Sequence, residues 1–315
     1  RKFMLFSCIA YFLALTSKEN GITFAAIIPL TLFCFAGNSW KESFVKAIPL
    51  LVVAAVYVAI RSNLVGMIGD RENPDIMENP FVGAAFMEKY ATITKILGLY
   101  VWKLFFPVIL SSDYSFNEIP RIGWNDPGAV ASLLIYLSLT VYAVINIRKK
   151  NNQPLLLIGY GILFYIITMS IVSNVVFNIG APMGERFLYL PSLGFCISIS
   201  AALLLPLKIT DWDTLKFNGK IFIPAGILLA LFSYRTIVRN PDWYDNKTLF
   251  TADAANAPNS AKVHHYYGNS FLTPQIGKPD SPEKTKDLKI ALREEKIAVR
   301  INPEFHHAYY NLGLI

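Results

Sequence analysis

The segment Ala181-Pro182-Met183-Gly184-Glu185-Arg186-Phe187-Leu188-Tyr189-Leu190-Pro191-Ser192 sets a Glu–Arg pair between two apolar runs, 154–173 and 187–207. Ionised side chains at the edge of a hydrocarbon layer are costly to desolvate, so residues of these types there point to chemistry. A snorkelling arginine beside a helix-end glutamate is the competing explanation. Lys18 and Glu19, in Thr16-Ser17-Lys18-Glu19-Asn20-Gly21, form a second charged break between closely spaced apolar runs. A lysine there holds a phosphate as a point charge, and a glutamate orients it or serves as a base. A turn kept polar for topology alone would read the same way. Asp113, in Ser111-Ser112-Asp113-Tyr114-Ser115, adds a carboxylate. Taken together, Lys18, Glu19, Asp113, Glu185 and Arg186 suit a negatively charged headgroup.

The elements that must position these residues are apolar. With 54% hydrophobic and 14% aromatic residues and a mean hydropathy of +0.41, a single soluble domain is excluded. Apolar runs occupy 3–16, 21–37, 44–60, 96–110, 127–147, 154–173, 187–207 and 221–238. The run 96–110 is interrupted by Lys103 and ended by Pro107. Lys95 and Lys103 share one helical face, so an interfacial amphipathic helix is expected near 91–110. About seven crossings remain. Arg148-Lys149-Lys150 marks the cytoplasmic side; 38–43 and 208–220 then lie on that side, and 17–20, 61–90, 111–126 and 174–186 lie outside. Both 61–90 and 111–126 come out external, which is why 96–110 does not cross. The net charge of +7 follows this loop bias, which removes the case for nucleic acid. Cys8, Cys34 and Cys196 all fall in apolar runs, so neither a disulfide frame nor a metal cluster is indicated.

From Arg239 the chain is polar, with ten basic and nine acidic residues and no apolar run. Residues 239–258 mix charges with Trp243 and Tyr244, as expected of a linker lying against a membrane surface. Residues 259–315 carry the start of tetratricopeptide repeats. Ala308-Tyr309-Tyr310-Asn311-Leu312-Gly313 echoes Tyr266-Tyr267-Gly268, with Ala291, Ala298 and Pro303 at the repeat's offsets. Gly268 and Gly313 are 45 residues apart against a period of about 34, so an insertion is placed in 273–287. Glu295 stands where an aromatic is usual. The acids of 70–81 are scattered among prolines and read as a solvated loop; no metal ligand and no cofactor is assigned, though a divalent metal is compatible.

Ser17-Lys18-Glu19-Asn20-Gly21-Ile22-Thr23, Asn79-Pro80-Phe81, Asp113-Tyr114-Ser115 with Ile119-Pro120, the 184–192 motif, and 239–250 followed by repeats resemble one family in order and spacing. It is the transmembrane and tetratricopeptide repeat O-mannosyltransferases, with those targeting cadherins and their bacterial relatives. The resemblance implies an all-α fold: a polytopic transmembrane helical bundle over 1–238, of the C-superfamily glycosyltransferase type, then a tetratricopeptide-repeat α-solenoid. It implies transfer of a sugar, mannose or another hexose, from a polyprenyl- or dolichyl-phosphate carrier to Ser/Thr hydroxyls on the extracytoplasmic side. The lipid-phosphate sugar is then a co-substrate, Arg186 and Lys18 hold its phosphate, and Glu185, Asp113 and Glu19 orient or transfer protons. The acceptor polypeptide and membrane lipids are the remaining partners. A further catalytic acid is expected upstream of Arg1, so the chain is read as a fragment, inactive alone, whose repeats continue past Ile315. Sparse cysteine points to a bacterial inner membrane with periplasmic repeats, whereas the sequon Asn246-Lys247-Thr248 suits an endoplasmic reticulum lumen. Two other functions fit the same chain. A repeat scaffold without catalysis would make Glu185 and Arg186 replaceable, and a transporter of lipid-linked sugars would need embedded charges, for which only Lys46 and Arg235 qualify.

Overall fold

A computed structural model describes residues 2–65, 75–205 and 219–315. Arg1, the acidic Asp70 and Glu72, and the loop carrying Lys208 and Lys216 lie outside the described residues. Among those described, every regular element is helical. The α-helices are α1 (Lys2–Ser17), α2 (Phe24–Phe35), α3 (Trp40–Val65), α4 (Phe86–Phe105), α5 (Pro127–Asn146), α6 (Gln153–Ser170), α7 (Pro191–Leu204), α8 (Gly219–Arg239), α9 (Asn246–Asn256), α10 (Ala261–Leu272), α11 (Pro282–Ile301) and α12 (His306–Leu314). Among the described residues four helical segments are long and apolar enough to cross a membrane: Trp40–Leu64, Pro127–Asn146, Gln153–Ser170 and Ile221–Trp243. The protein is an integral membrane protein. Helix α4 is as long but carries Glu88, Lys89, Lys95 and Lys103 and is not among the four. It starts and stops five residues earlier than the interfacial helix expected near 91–110. Its end follows from Pro107: the residue before a proline is pushed out of the helical region, and Phe106 has φ −130°, ψ 73°.

The chain forms two compact units. The first gathers Arg1–Glu72, Leu133–Asn178 and Phe187–Ala225. Its helices turn large side chains such as Val45, Ile48 and Val52 of α3 and Leu134, Leu137 and Val141 of α5 outward. In lipid that exposure is free of the aggregation cost it would carry in water, and association must come from close packing instead. Gly161 of α6 and Gly194 of α7 provide it. A methyl group on Gly194 would lie 2.4 Å from the Gly161 carbonyl, and one on Gly161 would lie 2.5 Å from that of Gly194. Tyr11 and Leu15 pack against Leu50 and Ala54, while Ile27, Leu30 and Phe33 pack with Leu156, Tyr160 and Phe164. Loops assigned to one membrane face meet here. Lys150 Nζ donates to the Asn38 carbonyl at 3.2 Å, and Arg61 pairs with Glu19 at 2.5 Å.

The second unit gathers Asn73–Ser132, Ile179–Arg186 and Gly226–Ile315. Its polar helices start on side-chain caps, which satisfy otherwise orphaned amides. Asp245 and Thr248 form a capping box at α9, Ser260 accepts from Val263 N at α10, and Ser281 accepts from Lys284 N at α11, whose first residue is Pro282. The stretch expected to be linker therefore contains a helix, α9, because Asp245 caps it. Buried Glu295 is fully partnered: His265 Nδ1 lies 3.0 Å from Oε2, and Asn311 Nδ2 donates to Oε1 at 2.7 Å. It joins α10, α11 and α12 by hydrogen bonds where an aromatic would use packing.

Candidate functional site

The Glu–Arg motif is built into the second unit from α4. Tyr100, fully buried, accepts a hydrogen bond from Gly184 N at 2.9 Å, so the backbone just before Glu185 is held by a helix two loops away in sequence. A 3-10 turn, Glu185–Leu188, then begins. One turn further along α4, Lys103 places Nζ 3.4 Å from Glu185 Oε1. The same carboxylate oxygen accepts from the Ser111 amide at 3.2 Å and from the Tyr114 hydroxyl in a very short contact. Lys103 also donates to the Tyr114 oxygen at 2.9 Å and to the Ile109 carbonyl at 2.5 Å.

Burial holds Glu185 above the ordinary carboxylate range, against the opposing pull of Tyr114, Lys103 and the Ser111 amide. Burial and the neighbouring Glu185 charge together push the Tyr114 phenol well up. The cluster therefore favours a neutral phenol donating to a glutamate that binds a proton more readily than usual. Arg186 is exposed, and its Nη1 donates to the Ser112 carbonyl at 3.4 Å. Asp113 is turned to loop closure, its Oδ1 accepting from Ser115 N at 2.7 Å and from Ser260 Oγ at 3.4 Å.

A cleft of about 460 Å³ opens beside this cluster. Its walls include Trp102, Phe106, Val108 and Ile109, and its polar edge carries Lys103, Tyr114 and Glu118. Burial raises Glu118 as well, against the Asn259 amide that donates to it at 2.9 Å. An apolar trough ending in a cation and protonatable groups matches an amphiphile with an anionic head. The structure thus joins Glu185, Arg186 and the Asp113 loop in one unit. Lys18, exposed, and Glu19, paired with Arg61, belong to the other unit. Among the described residues no group of three His, Cys, Asp or Glu side chains is arranged to hold a metal.

Sequence reasoning passed over Lys103, Tyr114, Glu118 and Asp253. Lys103 served to interrupt an apolar run and, with Lys95 on the same face, to mark an interfacial helix, and was given no role in the site; Lys95 meets Asp126 at 2.8 Å as Lys103 meets Glu185. The residue Asp253 gave one signal, an acid with alanine on both its flanks and no charged neighbour.

Curated relatives match along most of this chain. Human protein O-mannosyl-transferase TMTC1 is 27% identical over 233 residues, 73% of this chain and 24% of the relative. The mouse TMTC1 protein is 25% identical over 292 residues, 90% of this chain and 29% of its own length. The chain is a homologue of the TMTC proteins. Mouse protein O-mannosyl-transferase TMTC4 is 30% identical over 177 residues, 55% of this chain and 23% of that relative. The chain thus spans about a quarter of the length of these TMTC relatives. No family model matches it, and no solved structure does.

Proposed function

We propose that this chain forms part of a membrane glycosyltransferase that moves a hexose, mannose by analogy with the relatives' names, from a polyprenyl- or dolichyl-phosphate carrier to a Ser or Thr hydroxyl on the extracytoplasmic side. The observation that carries this reading is the Glu185–Lys103–Tyr114 cluster at the edge of an apolar cleft, with exposed Arg186 beside it. The cleft takes the first isoprene units, and Lys103 and Arg186 face the phosphate. The acceptor hydroxyl attacks the anomeric carbon, the bond from that carbon to the phosphate oxygen breaks, and the carrier phosphate leaves with the electron pair. Arg186 stabilises the charge that grows there. The hydroxyl's proton passes to a carboxylate. Among the described residues Glu185 is the candidate, because burial strengthens its hold on a proton while three donors fix Oε1. Asp113 shapes the loop that presents these groups, and the C-terminal helices, read as tetratricopeptide repeats, hold the acceptor polypeptide near the site.

The test substitutes Arg186→Ala in the full-length protein and measures transfer from a polyprenyl-phosphate mannose to a Ser/Thr peptide. The expected loss is about 100-fold, the scale for removing one donor to a developing oxyanion. Wild-type rates would remove Arg186 from the mechanism and favour a scaffold without chemistry.

A further inference from the structure

The loop 107–118 is anchored by the helix it follows through Lys103, at Ile109 and Tyr114. Its polar groups are taken up, at almost every second residue, by side chains and backbone of 235–261. Arg235 donates to the carbonyls of Pro107 and Val108 at 2.9 and 2.5 Å. Asn256 Nδ2 donates to the Leu110 carbonyl at 2.9 Å. Asp253 Oδ2 accepts from both Ser112 N and Ser112 Oγ, at 2.9 and 2.5 Å. Ser260 reaches Asp113, Asn117 N donates to the Asn259 carbonyl at 2.8 Å, and Ala261 N donates to the Phe116 carbonyl at 2.9 Å. Asp253 is fully buried and is itself held by Arg239, whose Nη2 lies 2.6 Å from Oδ1 while Nη1 holds Asp242 at 2.8 Å.

A buried carboxylate is stable only with its charge and lone pairs satisfied. Here one oxygen faces Arg239 and the other faces Ser112. The end of α8 therefore fixes Asp253, Asp253 fixes Ser112, and the Ser112 carbonyl receives Arg186. We propose that Asp253 is a positioning residue for the transfer site: through Ser112 it sets the backbone on which Arg186 rests, so the C-terminal helices order the site loop as well as extending from it. This rests on the reading of Arg186 given above.

The experiment uses the full-length protein with three variants, Ser112→Ala, Asp253→Asn and Arg186→Ala, and two readouts. Ser112→Ala removes one hydrogen bond and leaves the Arg239–Asp253 pair intact, so it keeps the test valid if Asp253→Asn fails to fold. Backbone hydrogen exchange at 111–115 should accelerate at least tenfold in Ser112→Ala, with α9 and α10 protected as in the wild type. Transfer from polyprenyl-phosphate mannose should fall about tenfold, and Ser112→Ala combined with Arg186→Ala should lose no more than Arg186→Ala alone, because both act through one group. Unchanged loop exchange in Ser112→Ala, or full additivity of the two losses, would overturn the positioning role. Wild-type transfer by Arg186→Ala would instead overturn the reading of Arg186, and the exchange readout then decides alone whether Asp253 orders the loop.

Discussion

Tyr114 shows how one hydroxyl can govern a site. It donates to Glu185, accepts from Lys103 and the Ser111 amide, and is almost wholly buried. Tyr114→Phe would strip the Ser111 amide of one partner and Glu185 of its strongest one. A buried donor left short costs about 1–3 kcal/mol, so unfolding of the purified protein should shift to that extent. The same substitution should move Glu185 further above the ordinary carboxylate range, since the Tyr114 bond is what most opposes burial there. The sign follows from which form is favoured: a carboxyl raised in the folded state is most stable protonated, and ionising it costs stability as pH climbs through the raised value. The acid limb of the transfer rate's pH profile should therefore move upward in Tyr114→Phe; a profile superimposable on the wild type would exclude Glu185 from the proton step. That these four groups meet is not visible in any one motif, because they are scattered between positions 103 and 185.

Two helix pairs carry predictions of their own. At α6–α7 the Gly161 and Gly194 backbones are in mutual contact, and rigid carbonyls cannot yield to a methyl group 2.4 Å away. Gly194→Ala should destabilise the protein by about 1–3 kcal/mol, the usual range for overpacking, read as a lower unfolding temperature in detergent. At α10–α11 a different device operates. Burial pulls His264 down, but its 2.7 Å contact with Glu294 and the Pro258 carbonyl outweigh that and leave it raised from 6.5. Burial raises Glu294, yet His264 and Arg293 overcome it and leave Glu294 lowered from 4.5. The His264 contribution is complete below its unfolded value and is lost as pH rises through the folded one; that of Glu294 is present above its unfolded value and is lost as pH falls through the depressed one. Protection of the α10 amides should peak in mildly acidic solution, and His264→Gln should flatten the decline toward higher pH. Periodicity announced both pairs as helices, but which faces meet is written in backbone separations and in charges thirty residues apart.

For the whole molecule, the side assigned to each loop is the most exacting expectation. Arg148-Lys149-Lys150 is read as cytoplasmic, and within the first unit Lys150 meets Asn38 of another loop given the same side. A cysteine at position 149 should react with an impermeant thiol reagent only after the membrane is opened; labelling of sealed membranes from the outside would reverse the topology. Hydropathy, the positive loops and the cap residues are local quantities, and from them the helical class, the membrane setting, the polar C-terminal helices and the charged breaks at Lys18 and Arg186 were all readable along the chain. Selecting Lys103 and Tyr114 as the partners of Glu185, and Asp253 as that of Ser112, was beyond any local pattern. A buried charge is tolerated only where the fold supplies its counter-charge and donors; for Glu185 the Tyr114 and Ser111 donors arrive from 71 and 74 residues away and for Asp253 the Ser112 donor from 141, which chain folding alone brings within hydrogen-bond reach.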